Sequence, residues 1–139
     1  MLLSKYKKVQ YTKLPKKAQE SYNFQKASAV LADYGFFTNL LKYDWLGADF
    51  LAQHIDGDWI KIQLKGRLTL DYKYQGKSIY IMFEHKKTQT WYLYPHDRFV
   101  KFVQKNMPGT SKSNKGYSTG TPSEKELNWL KKYKISEAD

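Results

Sequence analysis

The sequence contains no cysteine among its 139 residues. A chain without thiols can form neither a disulfide framework nor a thiolate metal site, which is usual for proteins of a reducing compartment. No 18 apolar residues run together, and residues 1–5 form no signal-type apolar stretch. We therefore expect a cytoplasmic protein that does not cross a membrane.

Acidic residues are scarce as well. Thirteen Asp and Glu stand against 24 Lys and Arg, which gives a formal net charge of +11. A positive field of this size attracts polyanions and speeds their capture, so we expect a nucleic-acid partner, DNA in the first place. The three histidines lack the His-Glu-x-x-His spacing of zinc enzymes, and neither a glycine-rich phosphate loop nor a Gly-x-Ser-x-Gly elbow is present.

The composition that remains is typical of one folded domain spanning residues 1–139. Hydrophobic residues make up 41% of the chain and aromatic residues 17%, which is enough apolar surface to offset chain entropy. Changes in composition divide the domain into a basic N-terminal arm (1–14), a core (15–106), an exposed basic loop (107–122) and a C-terminal helix (123–135).

Hydrophobic periodicity predicts the secondary structure. Apolar residues recur at three- and four-residue steps over 18–34 and 97–105, which predicts two helices. Ser123 and Glu126 form a capping-box pattern that opens a third helix. The order implies an α/β (α+β) fold in which a central mixed sheet of four to five strands is flanked by helices. Segments rich in β-formers predict its strands at 36–41, 48–55, 59–67, 78–83 and 90–94.

Polar residues of interest lie on both arms of a hairpin that turns at residues 56–58. A two-residue turn would pair Asp49 with Leu64 and would mix polar and apolar side chains on one face. A three-residue turn pairs Asp49 with Lys65 instead and separates the two faces. We favour this second register, which also brings Gln63 within one diagonal step of Asp49.

These three side chains suit phosphodiester chemistry. The oxygens of Asp49 and Gln63 are hard ligands of the kind that hold Mg²⁺, or Mn²⁺, with several waters retained. Lys65 can activate a water molecule or stabilise charge on a phosphorane. The alternative is purely structural: Asp49 serves the turn after Gly47, while Gln63 and Lys65 form a solvated strand face.

Basic residues around this cluster can hold phosphates. Lys61 and Arg67 flank it on the same strand, and Lys112 and Lys115 lie in the basic loop. Each of the four can equally be an ordinary surface charge. The four tryptophans are expected to pack in the core or at its rim rather than to stack on bases.

A helix followed by Gly-x-Asp at 47–49, a hairpin, and Gln-x-Lys at 63–65 resembles the PD-(D/E)xK nucleases. This is the restriction-endonuclease-like superfamily, and the likeness is greatest to its small homing-endonuclease-like and Holliday-junction-resolvase-like members. It covers roughly residues 18–105. The resemblance implies Asp49 as the first carboxylate, Gln63 in the second position and Lys65 as the catalytic lysine. It also implies a contribution from the first helix, where Glu20, Asn23 and Gln25 lie near the right place and Glu20 is the only carboxylate of the three.

The resemblance therefore implies a metal-dependent endonuclease that hydrolyses phosphodiester bonds of DNA with Mg²⁺ or Mn²⁺. Two departures from the family pattern are visible: Gly47 replaces the usual proline, and Gln63 replaces the usual Glu or Asp. An amide brings no charge to a metal. A catalytically inactive nucleic-acid-binding protein on the same fold is thus the alternative, and a module that recognises an acidic protein is a third. Many enzymes of the superfamily act as dimers, so a homodimer stays open.

Overall fold

A six-stranded mixed sheet runs through the computed structural model, which describes residues 3–110 and 115–136. Three helices and a separate two-stranded sheet surround it. The strands of the large sheet are β1 (Phe36–Trp45), β2 (Ala48–His54), β3 (Trp59–Leu64), β5 (Ile79–His85), β6 (Thr90–Pro95) and β8 (Lys134–Ser136). The small sheet pairs β4 (Leu68–Asp71) with β7 (Gly116–Thr119), and the helices are α1 (Lys16–Ala32), α2 (His96–Asn106) and α3 (Glu124–Leu130).

The strands lie in the order β1-β2-β3-β5-β6-β8. Only the central pair, β3 and β5, is parallel among the described ladders; the other neighbours are antiparallel. This arrangement confirms the predicted α/β (α+β) fold with a mixed sheet flanked by helices. The large sheet has one strand more than the predicted four to five, because β8 was not predicted; β4 and β7, which were not predicted either, form the small sheet. None of the helices in the described ranges is long and apolar enough to span a membrane.

Each face of the sheet buries its own hydrophobic cluster. Alternate residues of a strand point to opposite faces, so every second side chain joins the same cluster. On one face α1 packs its buried Ala27 and Leu31 against the strands. The strand residues of that cluster are Phe50, Ala52, Ile62 and Met82. The opposite face buries a larger, aromatic cluster together with α2 and α3, including Ile81, Phe83, Tyr94, Phe99, Val103 and Leu130.

The small sheet corrects two predictions. The predicted strand 59–67 ends at Leu64, and residues 68–71 start a new strand that leaves the large sheet. Its partner β7 lies inside the segment 107–122, which was predicted to be a loop throughout. The sequence does not indicate this strand, because turn-forming residues surround Gly116. In the structure β7 pairs with β4, and the Tyr117 hydroxyl also donates to Glu126 Oε2 at 2.6 Å.

The C-terminal helix is shorter than the predicted 123–135. The capping box is confirmed, since Ser123 and Glu126 exchange both hydrogen bonds. The helix ends at Leu130, and residues 131–133 tighten into a 3₁₀ turn. Residues 134–136 then pair with β6 as β8 and cover what would otherwise be an open sheet edge.

The β2–β3 hairpin adopts neither of the two predicted registers. Its turn consists of residues 55–57, where Gly57 takes the left-handed φ of 103° that favours glycine. The closing bond runs from His54 N to Asp58 O at 2.7 Å, and Phe50 pairs with Ile62. The favoured register is therefore wrong by two residues. A shift of two preserves the faces, so the predicted separation of polar from apolar side chains is confirmed.

Tyr94 ties the small sheet to the large one. Its buried hydroxyl donates to Thr69 O at 2.6 Å and accepts from Thr69 N at 3.0 Å. Tyr94→Phe keeps the ring but leaves both backbone groups of the buried Thr69 without this partner. We expect the free energy of unfolding to fall by about 2 kcal/mol in urea titrations. Tyr22→Phe, at an exposed position on α1, serves as the control, and an equal change in both variants would contradict the prediction.

Candidate active site

The predicted catalytic residues Glu20, Asp49, Gln63 and Lys65 line one cleft of about 620 Å³. It lies between the first half of α1, the turn that joins β1 to β2, and the end of β3. The described lining includes Glu20, Asn23, Asp44, Asp49, Gln63, Lys65, Glu84 and Lys86.

Asp49 follows a strained two-residue turn. Leu46 and Gly47 both take left-handed backbone angles, with φ of 52° and 88°. This conformation suits glycine but costs a leucine about 1 kcal/mol. A side chain at Gly47 would also press on Tyr74, since its Cβ would lie 3.1 Å from Tyr74 Cδ1. The turn therefore packs closely beside Tyr74, and Asp49 follows it as the second residue of β2.

The Asp49 carboxylate is half-buried and anchored to β3. Its Oδ2 accepts a hydrogen bond from Leu64 N at 3.0 Å. Burial raises the pKa of the carboxyl above its usual value, although the Leu64 N–H and the charge of Lys65 both oppose that rise. The ionised form loses solvation on burial, and a bound cation would offset that loss.

Gln63 lies on the same face as Asp49. Continuing the observed β2–β3 register by one residue places the two opposite each other. The Gln63 side chain is close enough to the Asp49 carboxylate to lower the pKa of Asp49. Gln63 Oε1 is buried and has no hydrogen-bond partner within the described part of the chain. Buried polar atoms are rarely left so, and this oxygen is therefore available to a water molecule or a ligand.

Lys65 completes the predicted trio. Its Nζ lies 5.3 Å from the centre of the Tyr74 ring, and its charge acts on Asp49. Helix α2 positions the segment that carries the buried Tyr74, since His96 Nε2 accepts a hydrogen bond from Asp71 N at 2.9 Å. Asp97 Oδ2 accepts from Gly76 N at the same distance. Tyr74 thus packs beside both Lys65 and the turn before Asp49. No sequence pattern predicts this role.

Asp44 is a site residue that the sequence did not reveal. The β1–β2 register changes between Leu40 and Trp45, so residues 41–44 bulge out of the ladder. The bulge brings Asp44 into the cleft, where its charge raises the pKa of Asp49. Bulges often re-aim side chains beside active sites, but hydrophobic periodicity does not predict where they occur.

The first helix supplies polar groups to the same cleft. Glu20 is exposed and lines it, as the resemblance implied. Asn23 also lines the cleft and donates to the Tyr11 hydroxyl at 2.8 Å. Gln25 instead donates to Ser21 Oγ, one helical turn back. Of the three helix candidates, the structure thus brings Glu20 and Asn23 to the site.

The predicted phosphate-binding residues do not form one set. Arg67 and Lys115 line a second groove of about 360 Å³ beside β4 and β7, and this groove meets the cleft at Lys65. Arg67 Nη2 donates to Ser118 O at 3.1 Å, which spans the groove. Lys61 lies elsewhere: its Nζ donates to Lys77 O and sits over the Trp45 ring. Lys112 lies outside the described residues.

The donor set fits a well-hydrated, hard divalent cation. In the described ranges, no three residues among His, Cys, Asp and Glu group closely enough to enclose a metal. Asp49 and Gln63 offer instead one carboxylate and one amide oxygen, which suits Mg²⁺ because this ion keeps several of its waters. The unpartnered Gln63 oxygen and the raised pKa of Asp49 are both features that such an ion would relieve.

Comparison with known proteins gives one structural likeness. No protein-family model matches the sequence, and no curated protein is significantly similar to it. The fold is similar to that of a bacterial homing endonuclease, I-Ssp6803I, with a TM-score of 0.51 and 14% sequence identity. The likeness covers 86% of this chain and 87% of the other. The chain thus shares the architecture of that enzyme over nearly its whole length.

Proposed function

We propose that this protein is a metal-dependent endonuclease that hydrolyses phosphodiester bonds of DNA. The observation that carries the proposal is the joint position of Asp49, Gln63 and Lys65 in one cleft, where a buried oxygen of Gln63 has no partner in the described structure. Support comes from the net charge of +11 and from the architecture shared with a homing endonuclease. Phosphodiester hydrolysis needs oxygen ligands for a cation and a positive group near the phosphate, and this cleft offers both.

Asp49 and Gln63 would hold the cation. When bound, Mg²⁺ or Mn²⁺ supplies positive charge to a phosphate oxygen and lowers the pKa of a coordinated water. The hydrogen bond from Leu64 N fixes the direction of the Asp49 carboxylate. The contact with Tyr74 keeps the Lys65 ammonium on the same side of the cleft, where it stabilises negative charge that develops on the phosphate.

The second groove gives the substrate strand a path away from the cleft. Arg67 and Lys115 line it, and Lys65 belongs to both depressions. Cations of this kind neutralise phosphates without reading the base sequence, so they position the strand rather than select it. Glu20 lines the same cleft, and there it would orient a water molecule or bind the cation through one.

The test is cleavage of a substrate panel with Mg²⁺, with Mn²⁺ and with chelator. Supercoiled plasmid, linear duplex, single strand and four-way junction each present the scissile bond in a different form. Cutting that requires the metal and is steeply reduced by salt would support the proposal. Absence of cutting on every substrate in both metals, by a protein that is folded and binds DNA, would contradict it.

Gln63→Glu is expected to strengthen metal binding. The substitution adds a negative charge beside Asp49 at the same side-chain length, so the Mg²⁺ concentration for half-maximal cleavage should fall about tenfold. Without metal the two carboxylates repel, and the melting temperature should fall below that of the wild type. Gln63→Leu, which removes the ligand at similar volume, should require more Mg²⁺ than the wild type. Equal metal requirements in all three proteins would remove Gln63 from the site.

A second candidate function is binding of nucleic acid without cleavage on the same scaffold. The neutral amide at Gln63 favours it, since Asp49 is then the only charged ligand of the proposed pair. Such a protein would bind DNA with a steep salt dependence in chelator and in Mg²⁺ alike. The cleavage panel separates the two functions directly.

A further inference from the structure

Two half-exposed tryptophans stack on each other beside the cleft. The ring centres of Trp45 and Trp59 lie 6.4 Å apart with an interplanar angle of 24°. Trp45 is 45% exposed and Trp59 is 53% exposed. The Nζ of Lys61 lies 5.8 Å from the Trp45 ring centre, and we call these three residues the aromatic platform. A contiguous pair of exposed rings beside a cation is a surface of the kind that contacts ligands or partners.

The platform lies on the sheet face opposite α1. Trp59 pairs with Gln53, and Gln53 in turn pairs with Phe37, which is 65% exposed. The row across three strands therefore remains open to solvent. Next to it, Asn39 Nδ2 donates to Gln53 Oε1 at 2.8 Å, so two neutral amides border the rings. Aromatic faces, amides and an ammonium group are the side chains that contact nucleotides.

The platform continues directly into the candidate active site. Trp59, Lys61 and Gln63 alternate along β3 and share one face. Gln63 lies four residue steps along the strand from Trp59, which is roughly 13 Å of backbone. On the other side, Trp45 directly follows Asp44 of the cleft. A nucleic-acid strand with a phosphate at Asp49 and Gln63 would thus pass its neighbouring nucleotides over the tryptophans.

We propose that the aromatic platform stacks an unpaired base of the strand that lies in the cleft. The inference rests on the proposed function and adds a substrate class to it: DNA with unpaired or displaced nucleotides beside the scissile bond. Every base has an aromatic face, so stacking gives affinity with little sequence preference, while Lys61 contacts the adjoining phosphate. The net charge of +11 favours this polyanion over a protein occupant.

The test measures binding in chelator, so that nothing is cut. Three labelled ligands are compared: a duplex, the same duplex with a short unpaired segment, and that second ligand with abasic sites in the unpaired segment. The abasic ligand keeps every phosphate and loses only the stacking faces. Wild-type protein should bind the base-containing segment about tenfold more tightly than the abasic one, with quenching of tryptophan fluorescence.

Trp45→Ala and Trp59→Ala should each remove most of this base preference while the affinity for plain duplex stays near the wild-type value. Trp59→Phe should keep much of it, because phenylalanine still offers a face. Ile55→Ala, at an apolar position that is 72% exposed on the neighbouring turn, is the matched control and should bind like the wild type.

The contrary results are equally specific. Equal affinity of the wild-type protein for the abasic and base-containing ligands would contradict the proposed base stacking, even if the protein cuts DNA. Variants that keep the preference, or whose molar mass in solution drops relative to wild type, would reassign the rings to other packing or to self-association. Base preference without any cleavage would leave the platform standing and remove the nuclease function instead.

Discussion

Asp49→Asn is expected to lower the rate of metal-dependent DNA cleavage on the order of 10³-fold while the fold stays intact. Asparagine has nearly the same shape and still accepts the hydrogen bond from Leu64 N. What it lacks is the negative charge, which would be the only one in the proposed ligand pair. Single-turnover cleavage at saturating DNA measures the effect on the reaction itself.

The same substitution has a distinct signature in stability. The pKa of Asp49 is raised in the folded protein, so its favourable contribution is present below the unfolded-state pKa and is lost as pH rises through the folded-state value. At neutral pH the ionised carboxylate therefore opposes folding of the metal-free protein. Asp49→Asn should melt at the same temperature or higher in chelator, and it should lose the stabilisation that Mg²⁺ gives the wild type.

Asp33→Asn is the matched control, because it makes the same chemical change at an exposed position at the end of α1. It should cleave and respond to Mg²⁺ like the wild type. Full activity of Asp49→Asn, or an unchanged rise in melting temperature with Mg²⁺, would show that the cation is held elsewhere.

Local sequence patterns were sufficient to predict the helices and strands that depend on one such pattern each. The helix over 18–34, the five longer strands and the capping box at Ser123 depend on local patterns, and all of them are present in the structure. The two faces of the β2–β3 hairpin were also predictable, because a register error of two residues leaves every side chain on its own face. That is why Asp49 and Gln63 were placed together although their partners were wrong.

The structural features that the sequence did not predict depend on long-range contacts and on local irregularities of the strands. Asp44 enters the cleft through a bulge, and Tyr74 reaches Lys65 because α2 anchors the segment from Asp71 to Gly76. The strand β7 forms only because β4 is available to pair with it. Trp45 and Trp59 were expected in the core or at its rim, yet about half of each ring lies exposed on an open face. Aromatic content predicts burial on average, and an exposed pair is visible only once the sheet is built.

Lys65→Met is expected to reduce the cleavage rate on the order of 10³-fold with little change in the Mg²⁺ requirement. Methionine preserves an unbranched apolar stem against Tyr74 and removes only the ammonium group. Since this charge matters most when negative charge builds up on the phosphate, the loss should fall on the single-turnover rate more than on DNA affinity.

A secondary effect separates this variant from a change at the metal ligands. The Lys65 charge lowers the pKa of Asp49, so its removal raises that pKa further and moves the acid limb of the pH–rate profile upward. Lys87→Met, on the exposed turn between β5 and β6, makes the same substitution away from the cleft and should behave as the wild type. A Lys65→Met enzyme that cuts at the wild-type rate would mean that Lys65 only packs on Tyr74, and that Asp49 and Gln63 achieve hydrolysis without a cationic side chain beside them.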